Sequence, residues 1–457
     1  MSILLVSANR EKIPYPVAPL GLLYIANRVK QRGRSVTILD LCFSNNIIED
    51  IEQAVSQCKP NCVGVSIRNV DNLSFPGSVS YLADVKHIID SIKNKTDAQI
   101  VLGGSAFSLF PEDILKFMGC TFGIIGEGED AFIKLLDKIE SEDTCYDGIE
   151  NLIWIMNNAV YRNKISHANS FDTISVRGLI DNAKYAKFGG MGNIQTKRGC
   201  KFKCLYCTYP SLEGHEYRLR SPKAIVEEAK QLKEGYDTNH IFFVDNVFNY
   251  PLDHSVAVCE EIIKSRLEIS WSCFASPKGM PYALLKIMQE AGCTHIEFGS
   301  DSLSELILSN LKKPFSISDI MQASIKCKKL GINNAHYIMF GGPGESIASL
   351  QEAFNNIRQL DATAILAMVG IRIYPGTGLQ RLSIEENIIT EHESLLDPIF
   401  YLSQNIPVKD LLQEISKFTA ANSNCVVPGM EIRSSERIFS ALRKHYQEGP
   451  LWSYLRK

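Results

Sequence analysis

Alternation of short apolar runs with amphipathic stretches, first over residues 3–139 and again over residues 193–371, constrains this chain more than any other feature of its sequence. Residues 3–7, 36–39, 62–67, 100–102 and 122–125 read as strands, and 19–33, 47–55, 79–92, 111–117 and 130–139 as the helices between them. Leu22, Leu23, Ala26 and Val29 share one face of the first helix, and Gly33 stops it. Strand and helix in strict alternation predict a parallel, doubly wound sheet, whose ligands bind outside the carboxyl ends of its strands.

Those ends carry the informative loops. A proline-rich loop (Pro14, Pro16, Pro19) follows the first strand, and Arg68-Asn69-Val70-Asp71-Asn72 follows the third. The fourth strand ends in Gly103-Gly104-Ser105 and the fifth in Gly126-Glu127-Gly128-Glu129. Glycines there permit tight turns or close backbone approach to a bulky ligand. No G-x-G-x-x-G follows the first strand, which argues against a nicotinamide dinucleotide.

Residues 141–185 read as a connector, with 153–155 and 159–161 flanking Asn157-Asn158 as a small hairpin. The alternation resumes with strands at 193–196, 241–244, 269–272, 294–298, 337–340 and 366–371. Ser221-Pro222 opens a helix that turns Ile225, Val226, Ala229 and Leu232 inward. Six β/α repeats predict a partial barrel, with functional residues on loops at the C-terminal strand ends.

Directly after the first of these strands stands Cys200-Lys201-Phe202-Lys203-Cys204-Leu205-Tyr206-Cys207. Three thiolates at C-x3-C-x2-C spacing suit a four-iron cluster with one iron left open to substrate. A structural zinc site and unrelated buried thiols are the alternatives, but zinc knuckles close with four ligands and no second knuckle is present.

The formal net charge of −3 and pI near 6.3 give no basic footprint, so neither a nucleic acid nor an anionic membrane is an expected partner. Thirteen cysteines, clustered only at 200, 204 and 207, predict reduced thiols in a cytoplasmic setting. The first apolar run is too short for a signal h-region, and no run of about 18 apolar residues predicts a membrane span.

With these pieces in order, the chain resembles the cobalamin-binding radical S-adenosylmethionine (SAM) enzymes. The cysteine motif with an aromatic, Tyr206, before its last thiol is the hallmark of radical SAM enzymes. Upstream, Pro19-Leu20-Gly21-Leu22, Gly33, Asp40-Leu41, Gly103-Gly104-Ser105 and Gly126-Glu127-Gly128-Glu129 are similar to the family's cobalamin domain. The resemblance implies an α/β chain: a Rossmann-like cobalamin-binding sheet over 1–140, the connector, a (β/α)6 partial barrel over 186–375 and a helical C-terminal region over 376–457. It implies three cofactors: a [4Fe-4S] cluster on Cys200, Cys204 and Cys207, SAM chelating the fourth iron, and cobalamin. Asp245 and Asn246 stand where the family contacts the SAM amino group, although such a pair also suits a turn or helix cap. Ser300 and Asp301 stand near the ribose, and Gly341 and Arg372 near the adenosyl group; the glycines and prolines around the last two also suit plain turns.

One departure from the family pattern matters. Many cobalamin domains carry D-x-H-x-x-G, whose histidine binds cobalt, and here no histidine precedes His87. The resemblance then implies cobalamin bound without a protein histidine, or a fold that has lost the cofactor. In the branch that methylates tryptophan an arginine lies beneath cobalt in a similar loop, which makes Arg68 its counterpart; a surface pair with Asp71 is the plainer reading.

Within residues 376–457, Leu411, Leu412, Ile415 and Phe418 form one amphipathic face and Ile438, Phe439, Leu442 and Tyr446 another, while Trp452 and Tyr454 suit docking onto a domain or partner. The expected activity is methylation of an unactivated carbon of a small molecule or peptide, by way of methylcobalamin and a 5'-deoxyadenosyl radical. A flavodoxin or ferredoxin is the expected electron donor. Cyclisation or ring rearrangement with the same cofactors is the second reading, and a non-catalytic cobalamin or iron–sulfur sensor a third.

Overall fold

The computed structural model describes residues 1–168, 171–430 and 449–455, which form two compact units. The first comprises Met1–Asn72, Ser80–Asn182 and Ser211–Gly214. Its strands β1 (Ser2–Ser7), β2 (Ser35–Asp40), β3 (Cys62–Ser66), β4 (Gln99–Gly103) and β5 (Phe122–Ile124) are parallel. Helices α1 (Leu20–Gln31), α2 (Ile47–Cys58), α3 (Leu82–Lys93), α4 (Ser105–Leu109), α5 (Pro111–Met118) and α6 (Glu129–Glu140) connect them. Spatial order β2-β1-β3-β4-β5 reverses direction between β1 and β3, the switch point at which such sheets open a crevice. Ile3, Leu4, Leu5 and Val6 of β1, an interior strand, are all at most 1% exposed, as expected where helices cover both faces of a parallel sheet.

The connector differs from expectation. Its hairpin, β6 (Leu152–Met156) and β7 (Ala159–Arg162), extends the first sheet antiparallel to β5, with Phe122 opposite Trp154. Trp154 stacks on Tyr161 at 5.4 Å and meets Tyr146 edge-on at 5.7 Å, and Tyr146 in turn meets Phe122 at 4.9 Å. Local alternation shows a hairpin; which free edge it completes is decided by this distant aromatic packing.

The second unit comprises Leu73–Val79, Ala183–Pro210 and His215–Lys457. Its parallel sheet runs, in sequence order, Gly192–Ile194, His240–Phe243, Ser270–Ala275, Cys293–Asp301, Asn333–Phe340 and Ala364–Val369, the six repeats expected. A seventh strand, Cys425–Val426, adds to the sixth through Ile365 and Leu366. The first and seventh strands are the two edges, so the barrel is open. The helix Pro222–Tyr236 begins as expected, with Ser221 Oγ accepting from the Ala224 N–H at 3.2 Å and proline in the first turn. Ile225, Val226, Ala229 and Leu232 on its inner face join Trp271, Ile296 and Phe298 in the core.

In the C-terminal region, helix Val408–Ala420 buries Leu411, Ile415 and Phe418, and Phe418 stacks on Phe354 at 4.1 Å. The other expected face, Ile438, Phe439, Leu442 and Tyr446, lies outside the described residues. Trp452 docks within the unit: its indole N–H donates to Glu297 Oε1 at 2.8 Å and its ring meets His295 edge-on. Among the described residues no helix is long and apolar enough to cross a membrane.

Candidate active site

The cysteine loop leaves the first barrel strand at its C-terminal end and is held there by later segments of the chain. The Leu205 N–H donates to the Leu311 carbonyl at 3.0 Å, and the Leu205 carbonyl accepts from the Leu379 N–H at 2.8 Å. A Cβ on Gly378 would lie 3.1 Å from the Leu205 carbonyl oxygen, so glycine eases the close approach at the second contact. Burial, and to a lesser degree the nearness of Cys204 and Cys200, push the Cys207 thiol up to about 12. No three His, Cys, Asp or Glu side chains among the described residues converge closely enough for a single ion. Three thiols at this spacing, with no second cysteine pair in the sequence to complete a zinc site, fit a multi-iron cluster better than zinc.

Asp301 ends the fourth strand in the left-handed region, at φ +62, beside an irregularity in its pairing with the fifth. That turn aims its carboxylate at the cysteine loop, where it accepts from the Tyr206 hydroxyl and from Lys313 Nζ at 2.6 Å. Lys313 also lies 5.8 Å over the Tyr206 ring. Burial alone would lower the lysine pKa, but Asp301 and then Cys204 outweigh it and hold the ammonium above its ordinary value. The Cys204 thiol is raised, chiefly by burial, while Lys313 draws it back down. An ammonium next to one loop thiol favours its deprotonated, ligand-competent form. Sequence reading missed Lys313: the only local signal is Lys312-Lys313 after a short helix, and nothing local shows which lysine turns inward.

Asp245, expected at the SAM amino group, is instead committed to the protein. Its carboxylate accepts from the Thr196 N–H at 2.7 Å, from the Thr196 hydroxyl, and from Lys197 through its N–H at 3.2 Å and its Nζ at 2.9 Å. Asp245 and Lys197 are 0% and 2% exposed, so the pair clamps the chain just before Cys200. Asn246 beside it is half-buried, with Nδ2 3.4 Å from the Gly199 carbonyl. Ser300 faces the core, 2.7 Å from His336 Nδ1. Arg372 donates to the Leu395 carbonyl at 2.6 Å and the Ile373 carbonyl at 2.8 Å, so its guanidinium orders the segment beyond the sixth strand. Gly341 turns at φ +86, where a Cβ would lie 2.8 Å from Leu402 Cδ2. Glu345 accepts from the Gly341 N–H, leaves Oε1 without a hydrogen bond, and is pushed up to about 7 by burial.

At the strand ends of the first unit the expected residues divide similarly. Gly104 has φ +100, and a Cβ on it would sit 2.5 Å from the Ile67 carbonyl oxygen; only glycine lets the β3 and β4 loops touch. Ser105 Oγ donates to the Arg68 carbonyl at 2.8 Å. A Cβ on Gly103 would touch only the Ile124 carbonyl, at 3.8 Å. The Gly126 N–H donates to Ser108 Oγ at 2.8 Å, and Gly128 lets Ile25 of α1 pack against the start of α6. Glu127 Oε2 accepts from the Ala168 N–H at 3.1 Å, which pins the segment after the hairpin. Arg68 is exposed, and among the described residues its side chain makes no hydrogen bond or ion pair, with Asp71 or otherwise. It stands at the C-terminal end of β3, beside the switch point.

Comparison with known proteins agrees with this two-part architecture. Residues 6–136 match the B12 binding domain, and residues 194–357 match the radical SAM superfamily. The chain is 24% identical over 449 residues to tryptophan 2-C-methyltransferase of Streptomyces laurentii, covering 83% of this chain and 74% of that protein. It is 26% identical over 418 residues to an uncharacterized methyltransferase of Pyrococcus horikoshii, covering 88% of each. Among solved structures, the radical SAM methyltransferase TsrM of Kitasatospora setae, with tryptophan and a SAM analogue bound, superposes with a TM-score of 0.91 at 22% identity. The match covers 99% of this chain and 97% of that one.

Proposed function

Because this chain belongs to the cobalamin-binding radical SAM enzymes, we propose that it is a methyltransferase acting on a carbon of a small molecule. The observation that carries the proposal is the three-thiol loop on a chain that also holds a cobalamin-type sheet. When bound, SAM, the cluster and cobalamin supply a methyl donor, a one-electron couple and a methyl carrier.

The protein's own part is to place and exclude. Cys200, Cys204 and Cys207 are the cluster ligands, leaving one iron for SAM. The Asp245–Lys197 clamp and the two Leu205 hydrogen bonds fix the loop that carries them. Asn246 and Asp301 are the groups assigned to SAM, with Asp301 oriented by Tyr206 and Lys313. Glycine-ended β4 and β5 loops would admit cobalamin to the first sheet, and Arg68, exposed and unpaired among the described residues, would offer it a positive charge that cannot be deprotonated. Tryptophan methylation by the Streptomyces relative supports a small, apolar acceptor.

Anaerobic reconstitution with iron, sulfide and cobalamin, followed by incubation with SAM, reductant and a panel of indole and amino-acid acceptors, tests the assignment. S-adenosylhomocysteine and a methylated acceptor are expected. Formation of 5'-deoxyadenosine with an altered but unmethylated acceptor would replace it with a rearrangement enzyme.

A further inference from the structure

We propose that the Tyr217 hydroxyl donates a hydrogen bond to the cluster on the cysteine loop, at the Cys200 sulfur or a sulfide beside it, and so sets the potential at which the cluster accepts an electron. This rests on the cluster assignment above and adds a residue that tunes the cluster without ligating it. The two-residue strand Arg218–Leu219 pairs antiparallel with Lys197–Arg198, with Arg218 opposite Arg198 and Leu219 opposite Lys197. One step further in the same register, Tyr217 comes level with Gly199, which turns the chain into Cys200 at φ +91. The pairing thus carries a tyrosine from well beyond the motif to its first thiol. Lys201 holds the ring there, with Nζ 5.9 Å over it and 2.9 Å from Glu216, the preceding residue.

The hydroxyl oxygen is shielded from solvent, yet among the described residues it makes no hydrogen bond. The Lys201 N–H acts on that oxygen but can only donate, so the hydroxyl hydrogen has no acceptor in the chain. A shielded hydroxyl without a partner costs stability, and where a native fold keeps one a redox or catalytic use is among the reasons. Here the neighbouring acceptor is sulfur. Burial, and after it the Cys200 thiol, push the tyrosine up to about 12, so it keeps its hydrogen at neutral pH. Reduction adds one electron and one negative charge to the cluster while no proton moves. A donor on its sulfur therefore stabilises the reduced form more than the oxidised one and raises the potential. Lys313 beside Cys204 and Tyr217 beside Cys200 then give two of the three thiolates different neighbours.

The test uses the full chain reconstituted with iron and sulfide, without SAM, and reads the reduced cluster by EPR over a series of applied potentials. Tyr217→Phe is expected to hold as much iron per chain as wild type, with a ratio of reduced to oxidised cluster about three- to tenfold lower at the same potential. An exchangeable proton coupled to the reduced cluster, seen by ENDOR in H2O and lost in D2O, should be missing from the variant. Before iron is added the variant should melt no lower than wild type, because the hydroxyl it lacks has no partner in the metal-free chain. Tyr250→Phe removes a hydroxyl from a nearby ring that no strand pairing brings to Cys200, and should leave the potential unchanged. An unchanged potential in Tyr217→Phe, or an equal shift in Tyr250→Phe, overturns the inference. So does a lower melting temperature of metal-free Tyr217→Phe or a loss of its iron, either of which makes the hydroxyl a structural group. A wild-type chain that holds no iron overturns instead the cluster assignment beneath it.

Discussion

Lys313 and Asp301 form a buried ion pair against the cysteine loop, Nζ to Oδ2 2.6 Å, with side chains 7% and 5% exposed. Removing one partner leaves the other charge buried and uncompensated, which typically costs about 3–5 kcal/mol. Asp301→Asn is therefore expected to lower the urea midpoint of the apoprotein and to reduce iron incorporation. Adding Lys313→Met should recover part of the stability but not the iron, since Cys204 then lacks its neighbouring ammonium. Equal iron content in the double variant and the wild type would remove Lys313 from the site.

Cys204→Ala should leave the fold intact and abolish the cluster, because a three-thiolate site has no spare ligand. Iron analysis and the visible absorption of the reconstituted protein measure this. Wild-type iron content in the variant would refute the ligand set.

Arg68→Ala should shift stability by no more than about 0.5 kcal/mol, since the side chain is exposed and unpaired. Methyl transfer should fall at least about tenfold, and the absorption of bound cobalamin should change. A spectrum of the wild-type holoprotein showing a histidine-ligated, six-coordinate cobalamin would end the role given to Arg68.

Gly104→Ala places a Cβ against the Ile67 carbonyl in a left-handed backbone. Strain and overlap together are expected to cost more than about 2 kcal/mol, and to weaken cobalamin binding through displacement of the β3 loop. Thermal unfolding without cofactor and cobalamin titration separate the two effects.

Glu345 supplies a pH dependence. Its carboxyl is held at about 7 when folded and near its ordinary 4.5 when unfolded, so between these values the folded chain binds the extra proton. Stability from this group is present below about pH 4.5, falls as pH rises, and is lost above about 7, a change on the order of 3 kcal/mol. Glu345→Gln should flatten that slope, matching wild type near pH 5 and exceeding its melting temperature at pH 8.

Much of this was legible in the sequence because the signals are local. Six strands, their helices and the thiol loop follow from apolar period and spacing, and most of the expected site residues lie at or just beyond strand ends. Roles were harder to read than places. Asp245 and Ser300 sit where anticipated, but their side chains turn to Thr196, Lys197 and His336, and such choices depend on partners dozens of residues away. Lys313 was invisible for the same reason, its importance arising from a turn that brings it to Tyr206 and Asp301. The two-residue strand Cys425–Val426 has no period to detect, and exists only because the sixth strand offers an open edge.

Attachment of the segment before Cys200 to Asp245 also bears on how the cluster can be loaded. Thr196 and Lys197 are gripped by a residue at the end of the adjacent parallel strand, so the grip forms when those two strands pair and needs no metal. Small zinc domains collapse around their ion; here the segment before Cys200 is gripped by protein groups alone. A chain purified without iron is therefore expected to accept the cluster without being unfolded first.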